Sequence, residues 1–481
     1  MKWIINIVKK IKNMPLTAKV SIAYTVCSIL QKCLSFITLP LFTRLLTQEQ
    51  YGQYSIYTSW MGIITIFISL NLPYGSFSTA MVKYEDRRNE YISSVQTICT
   101  TMALIFLVIY LPFSKYLNKL FELPTGLIIL MVVEIIMQTS TLCWNGKMRF
   151  EYKYKAIVVI TLAMSVISPL LAYFLVSNTE EKGYARILGY SSVIILVGLF
   201  FYIYNYAKGK KLYNKEFWRF ALGFNLPLII YYLSQVVFNQ SDRIMISHFC
   251  GMDKAGIYGV AYSLATILLF VLNAVNNSYV PWYYGKIKEG KASDNKKVAN
   301  FIAILMSFLL LGVIWIAPEI IHIMAGKAYY EAIWIVPPVA MSLLLLFYTQ
   351  LFANVEFYYE KKYALIIASV GAALLNAILN YIFIPICGYL VAGYTTLISY
   401  IVFAVANYIV MRVVLKKMDV ELDAFDLKML ILICVIFIGL GFLGMALYNW
   451  FIIRMVIIAC ILLFSTIFSK KIIGYIKKNK W

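Results

Sequence analysis

Four charged side chains lie deep inside apolar runs of the sequence: Lys32, Glu134, Asp242 and Arg243. Burying one such charge in a bilayer costs at least about 2.5–3.5 kcal/mol, so each must meet a counter-charge, water or a charged ligand. Beside two of them run matched polar stripes. Gln31, Ser35 and Thr38 are spaced i, i+4, i+7 and share one helix face, and Gln235, Asn239 and Asp242 repeat that spacing. Arg44 stands at the outer end of the run that holds Lys32. Lysine and arginine hold phosphate oxygens through charge-assisted hydrogen bonds. One reading is therefore a cationic cavity for an anionic headgroup, with Lys32, Arg44 and Arg243 as its cations and Gln31, Gln235 and Asn239 in its wall. The other is internal: ion pairs such as Asp242 with Lys32, Glu134 facing inter-helix water, and stripes that bind helices to one another.

Other chemistries find little support. Two histidines, His248 and His322, are too few and too far apart for a His-based metal site. The eight cysteines contain no CxxC and read as small buried residues. Gly285 with Gly290-Lys291 imitates a phosphate loop, but Ala292 stands where the magnesium hydroxyl is needed. No catalytic residue and no metal ligand is assigned. Tyrosine is abundant, at 38 residues, and Trp282, Tyr283 and Tyr284 read as an interfacial belt more readily than as a sugar-stacking platform.

These residues must be held by membrane helices. Of 481 residues 62% are hydrophobic and 14% charged, and the mean hydropathy is +0.78. Soluble globular chains are roughly 45–50% apolar and about 25% charged. At about 20 apolar residues per crossing, the chain offers fourteen spans: 18–46, 54–81, 92–113, 123–145, 156–177, 184–206, 222–249, 256–282, 298–318, 332–355, 364–384, 389–411, 429–448 and 452–469. Segments on one side of this arrangement hold 33 Lys and Arg, and those on the other hold 8. The positive-inside rule then puts both termini in the cytoplasm. It also accounts for the net charge of +21 without nucleic acid. Before the first span, residues 1–17 alternate lysines with Trp3, Ile4, Ile7, Val8 and Ile11 on opposite helix faces, an interfacial amphipathic segment. No cleaved signal peptide is read. Outward loops of about ten residues leave no room for the catalytic loops of membrane glycosyltransferases, polymerases or ligases.

A constant offset of 204 residues matches Gln31 with Gln235, Gly52 with Gly256, Tyr54 with Tyr258, Glu49 with Asp253 and Gly189-Tyr190 with Gly393-Tyr394. Six spans per repeat is an even number, so the halves share one orientation. The expected architecture is an all-α polytopic membrane protein of about 14 transmembrane helices, with two six-helix lobes related by a parallel repeat. The lobes are 18–206 and 222–411, joined by a cytoplasmic linker, 207–221. Residues 412–481 supply two extra helices and a basic tail.

Leu39-Pro40-Leu41-Phe42-Thr43-Arg44-Leu45-Leu46-Thr47, with Glu49, Tyr51-Gly52 and Tyr54, resembles the first-helix pattern of the Wzx-type polysaccharide flippases. Gln240-Ser241-Asp242-Arg243 with Ile246, Gly256 and Tyr258, and Pro385 with Gly388 and Ala392-Gly393-Tyr394-Thr395-Thr396, resemble it more loosely. That family belongs to the superfamily that also holds MATE multidrug antiporters and lipid II flippases. The resemblance implies alternating access and movement of an undecaprenyl-diphosphate-linked oligosaccharide to the outer leaflet of a bacterial plasma membrane. It implies membrane lipids, a polysaccharide polymerase and glycosyltransferases as partners. It also implies a role for Arg44, Asp242 and Arg243, which stand at motif positions. No cofactor is implied beyond a proton or sodium gradient, for which Asp242 and Glu134 are the carboxylates at hand. A drug or cation antiporter, a lipid II-type flippase and a non-transport scaffold are the alternatives.

Overall fold

With no water in the bilayer core, a spanning segment must satisfy its own backbone, which favours helices. The computed structural model of the chain describes residues 16–360, 362–420 and 422–459, and these contain helices and no strand. In chain order the helices are α1 (Leu16–Leu45), α2 (Gln48–Ser69), α3 (Phe77–Lys83), α4 (Arg88–Tyr110), α5 (Ser114–Phe121), α6 (Thr125–Phe150), α7 (Tyr154–Ser177), α8 (Lys182–Gly209), α9 (Lys215–Asn225), α10 (Ile229–Cys250), α11 (Met252–Ala265), α12 (Leu269–Lys288), α13 (Asn295–Trp315), α14 (Ala317–Met324), α15 (Val336–Tyr358), α16 (Lys362–Cys387), α17 (Val391–Lys417) and α18 (Leu427–Ala446). Helices of this length suit a bilayer: the 28 residues of α8 extend about 42 Å at 1.5 Å per residue.

Twelve helical stretches among the described residues are long and apolar enough to cross a membrane. α2 is long enough, with 22 residues, but its first turns carry Gln48, Glu49, Gln50 and Gln53. The last expected span is described only to residue 459. With these two the count reaches about fourteen. The amphipathic segment 1–17 lies outside the described residues apart from its last two positions, and so does the basic tail.

Three expected spans are interrupted. The span 54–81 stops at Ser69, because Leu70 and Asn71 take left-handed backbone at φ 48° and 53°, and the chain restarts as α3. A 3-10 turn over Leu226–Leu228, with Pro227 in it, separates the amphipathic α9 from α10. Another, over Thr266–Leu268, separates α11 from α12.

Contacts divide the chain into two units, residues 1–260 with 324–329 and 363–395, and residues 261–323 with 330–362 and 396–481. The first holds α1 to α10, the start of α11, nearly all of α16 and the start of α17, so it draws helices from both expected lobes. Its helices turn apolar side chains outward, as lipid contact requires, and place their buried polar residues inward among apolar ones. On α4, Leu104, Ile105, Val108 and Ile109 are exposed, whereas Ser93, Ser94 and Gln96 are fully buried. The two glycines matched at the 204 offset meet where α2 crosses α11. A Cβ added at Gly52 would lie 1.9 Å from the Met252 carbonyl oxygen, and one at Gly256 2.1 Å from that of Gln48. Only glycine allows this approach.

In the second unit α15 is buried over most of its length. There Arg454, 1% exposed, donates from Nη1 to Glu319 Oε2 at 3.0 Å, from Nη2 to Glu319 Oε1, and from Nη1 to the Trp315 carbonyl at 2.8 Å.

Candidate functional site

The sequence repeat reappears as bonding. Gln31 Nε2 on α1 donates to Ser165 Oγ on α7 at 3.2 Å. At the same offset in both partners, Gln235 Nε2 on α10 donates to Ser369 Oγ on α16. The α1 stripe lines an open cavity of about 350 Å³ walled by residues of α1, α6, α7 and α8. This cavity lies among helices of the first half of the repeat. Each helix brings residues at helical spacing, such as Gln138, Thr141 and Asn145 on α6 and Thr161, Ser165 and Ser168 on α7.

In the second half the position equivalent to Thr38 is Asp242. Its side chain is 1% exposed. Its carboxylate accepts from Tyr258 Oη at 2.6 Å and from Asn380 Nδ2 at 2.6 Å. Asn380 and Asn376 stand i, i+4 on α16, with Asn380 Nδ2 3.3 Å from Asn376 Oδ1. Thr395 at the start of α17 donates to Asn380 Oδ1. Asp242 is thus the acid of a fully buried cluster of oxygens from α10, α11, α16 and α17.

Glu134 on α6 occupies a second buried site, 3% exposed. It accepts from Tyr57 Oη at 2.8 Å and from Ser191 Oγ at 2.6 Å. Ser191 is the counterpart of Thr395 at the 204 offset, so equivalent hydroxyls attend the two acidic sites.

The cations are spread more widely. Arg243 is half-buried and donates from Nη1 to Gln240 Oε1 at 2.6 Å, an oxygen that Ser59 Oγ also reaches at 3.2 Å. Lys32 and Arg44 lie at exposed positions of α1. Asn239 Nδ2 donates to the Gln235 carbonyl at 2.7 Å, within its own helix.

The sequence reading did not single out Arg186. Counted with the outward loops, it is instead 5% exposed on α8. Its guanidinium carbon lies 3.7 Å from the Tyr54 ring centroid, 4.4 Å from Tyr51 and 4.6 Å from Phe42. Such a cage holds a cation through the negative ring faces, and Arg186 Nε and Nη1 have no hydrogen-bond partner. The available signal was the aromatic trio itself. Asn376 and Asn380 were also missed, although an asparagine pair at i, i+4 in an apolar span is visible in the sequence.

The pattern of the family described as polysaccharide biosynthesis protein matches residues 17–284, more than half of the chain. The chain belongs to the polysaccharide biosynthesis protein family. The match spans the four-helix cavity, Glu134, Arg186, Asp242 and Arg243. A protein of the Lsg locus of Haemophilus influenzae is 25% identical over 359 residues, covering 72% of this chain and 85% of that protein. Among solved structures, an inward-facing multidrug MATE transporter superposes with a TM-score of 0.60 at 14% identity, covering 82% of this chain and 99% of that one. The lipid II flippase MurJ in an inward closed conformation gives 0.59 at 14% identity, covering 94% and 100%. This member of the family is a multi-pass helical membrane protein with the fold those transporters share.

Proposed function

We propose that the protein moves a polyprenyl-diphosphate-linked oligosaccharide from the inner to the outer leaflet of a bacterial plasma membrane by alternating access. The observation that carries this reading is the coincidence of the family match with a fold shared with a lipid flippase and with MATE transporters. The site chemistry fits. Lys32, Arg44 and Arg243 are the cations for the diphosphate, with Gln31, Gln235 and Asn239 as hydrogen-bonding neighbours. Asp242 and Glu134 are the carboxylates for coupling to a proton or sodium gradient. Both termini are cytoplasmic, following the 33 to 8 division of basic residues. The halves 18–206 and 222–411 act as the two lobes. Polysaccharide polymerase and glycosyltransferases act on either side of the transfer step.

The test is transfer of a fluorescent undecaprenyl-diphosphate oligosaccharide in liposomes, read by periodate access to the sugar. Lys32→Ala and Arg243→Ala are each expected to slow transfer roughly tenfold or more while inserting normally, since a hydrogen bond to a charged group is worth about 1.5–3 kcal/mol. Wild-type rates in both variants would remove the cationic-site assignment. Drug resistance on overexpression, with no polysaccharide defect on deletion, would replace the flippase reading with drug antiport.

A further inference from the structure

The four-helix cavity differs chemically from the other deep polar groups. None of its fifteen lining residues is charged. Glu134 and Arg186 stand one helical turn from the lining residues Gln138 and Tyr190 but do not line it themselves. Four of the seven lining hydroxyls are already committed as donors. Ser35 Oγ donates to the Gln31 carbonyl at 3.0 Å and Thr38 Oγ1 to that of Ser35 at 2.9 Å. Thr141 Oγ1 donates to the Met137 carbonyl at 3.2 Å and Ser165 Oγ to that of Thr161 at 2.8 Å. A hydroxyl has one proton and two lone pairs, so what these four keep for the cavity is acceptor capacity, which Ser165 shares with Gln31 Nε2. Asn145 Oδ1 adds a buried acceptor with no hydrogen-bond partner.

A neutral wall of amides and hydroxyls, offering both donors and acceptors, selects its ligand. A phosphate or carboxylate would meet no cation. An ammonium group would meet no counter-charge. A sugar ring carries no charge and offers a proton from each hydroxyl, and the Tyr190 ring on the cavity wall offers it an apolar face. The volume, about 350 Å³, falls at the lower end of small-molecule sites, roughly 300–1,000 Å³.

The repeat sharpens the contrast. At the 204 offset Thr38, Ala172 and Val176 correspond to Asp242, Asn376 and Asn380. The second half therefore builds its ionisable cluster at positions where the first half is neutral.

We propose that the cavity among α1, α6, α7 and α8 is a subsite for an uncharged, hydroxyl-rich sugar unit of the cargo, separate from the cations that receive its diphosphate. This rests on the flippase reading and adds where, and by what chemistry, the glycan is held.

The test uses full-length protein in mild detergent and two probes: lipid-linked oligosaccharide extracted from the host's own membranes, and undecaprenyl diphosphate without sugar. Ser165→Trp fills the cavity, and Asn145→Leu removes the unpartnered acceptor at nearly constant size. Ser165→Trp is expected to weaken capture of the glycolipid at least about tenfold, and Asn145→Leu by a smaller factor, as loss of buried hydrogen bonds implies. Capture of the bare diphosphate should be unchanged in Asn145→Leu, which leaves the Gln31–Ser165 bond in place. If Ser165→Trp does not fold, Asn145→Leu with unchanged elution on gel filtration carries the test alone. Equal glycolipid capture by wild type and the folded variants overturns the subsite and leaves the flippase reading intact, as does parallel loss of both probes in Asn145→Leu. Failure of the wild type to capture either probe overturns the flippase reading itself.

Discussion

Replacing Arg454 by methionine is expected to destabilise the second unit by about 1–3 kcal/mol, the cost of leaving hydrogen-bond partners unsatisfied, because the Glu319 carboxylate is 29% exposed and can regain water. Arg454 sits 1% exposed at the point where α13 ends. Its two-pronged contact with Glu319 is joined by a bond to the Trp315 carbonyl, one of the acceptors left open at a helix C-terminus. A cation there also complements the helix dipole. Truncation leaves the Glu319 carboxylate and that carbonyl without their donor. Glu319→Leu combined with Arg454→Met should regain much of the loss, because an apolar pair of similar volume often replaces a buried ion pair at little net cost. Thermal unfolding in detergent of both single variants and the double variant would measure this coupling. Additive losses would show that the pair does not act as a unit.

Arg454 also illustrates what the sequence made legible and what it did not. Periodicity and hydropathy place spans well, and the 204 offset correctly pairs Gln31 with Gln235 and Gly52 with Gly256. It could not say that Gln31 bonds Ser165, 134 residues away, because side-chain partners across helices depend on packing. The same limit hid both buried arginines. Arg186 and Arg454 stand at the third position of the expected spans 184–206 and 452–469, close enough to the ends to be counted with the outward loops. Only the ring cage around one, and the Glu319 carboxylate beside the other, explain their burial. The break at Leu70–Asn71 was missed for a different reason: Asn71, Pro73 and Gly75 are turn-forming residues, but the apolar neighbours kept the window average high. The Asn376–Asn380 pair escaped a search directed at charges, although two amides in an apolar span are as hard to leave unsatisfied as they are to miss.

Those amides set the largest functional effect. Asp242→Asn is expected to uncouple transport from its driving gradient, lowering gradient-dependent transfer roughly 5–150-fold, the span of couplings of about 1–3 kcal/mol. Neither Asp242→Asn nor Glu134→Gln should break the fold. Glu134 accepts from two hydroxyls, Tyr57 and Ser191, and a hydroxyl can turn to accept from a new amide. Asp242 accepts from the Tyr258 hydroxyl and from Asn380 Nδ2, so an amide at 242 can keep its oxygen toward Asn380 and set its NH2 against the Tyr258 hydroxyl. Both sites can thus re-form without their carboxylates, and a loss of gradient dependence reports the ionisable group. Liposome transfer under separately imposed pH and sodium gradients distinguishes the two sites. Asp242→Asn moving cargo at the wild-type rate, with gradient dependence intact, would reject Asp242 as the coupling group and leave Glu134 to be tested in the same way.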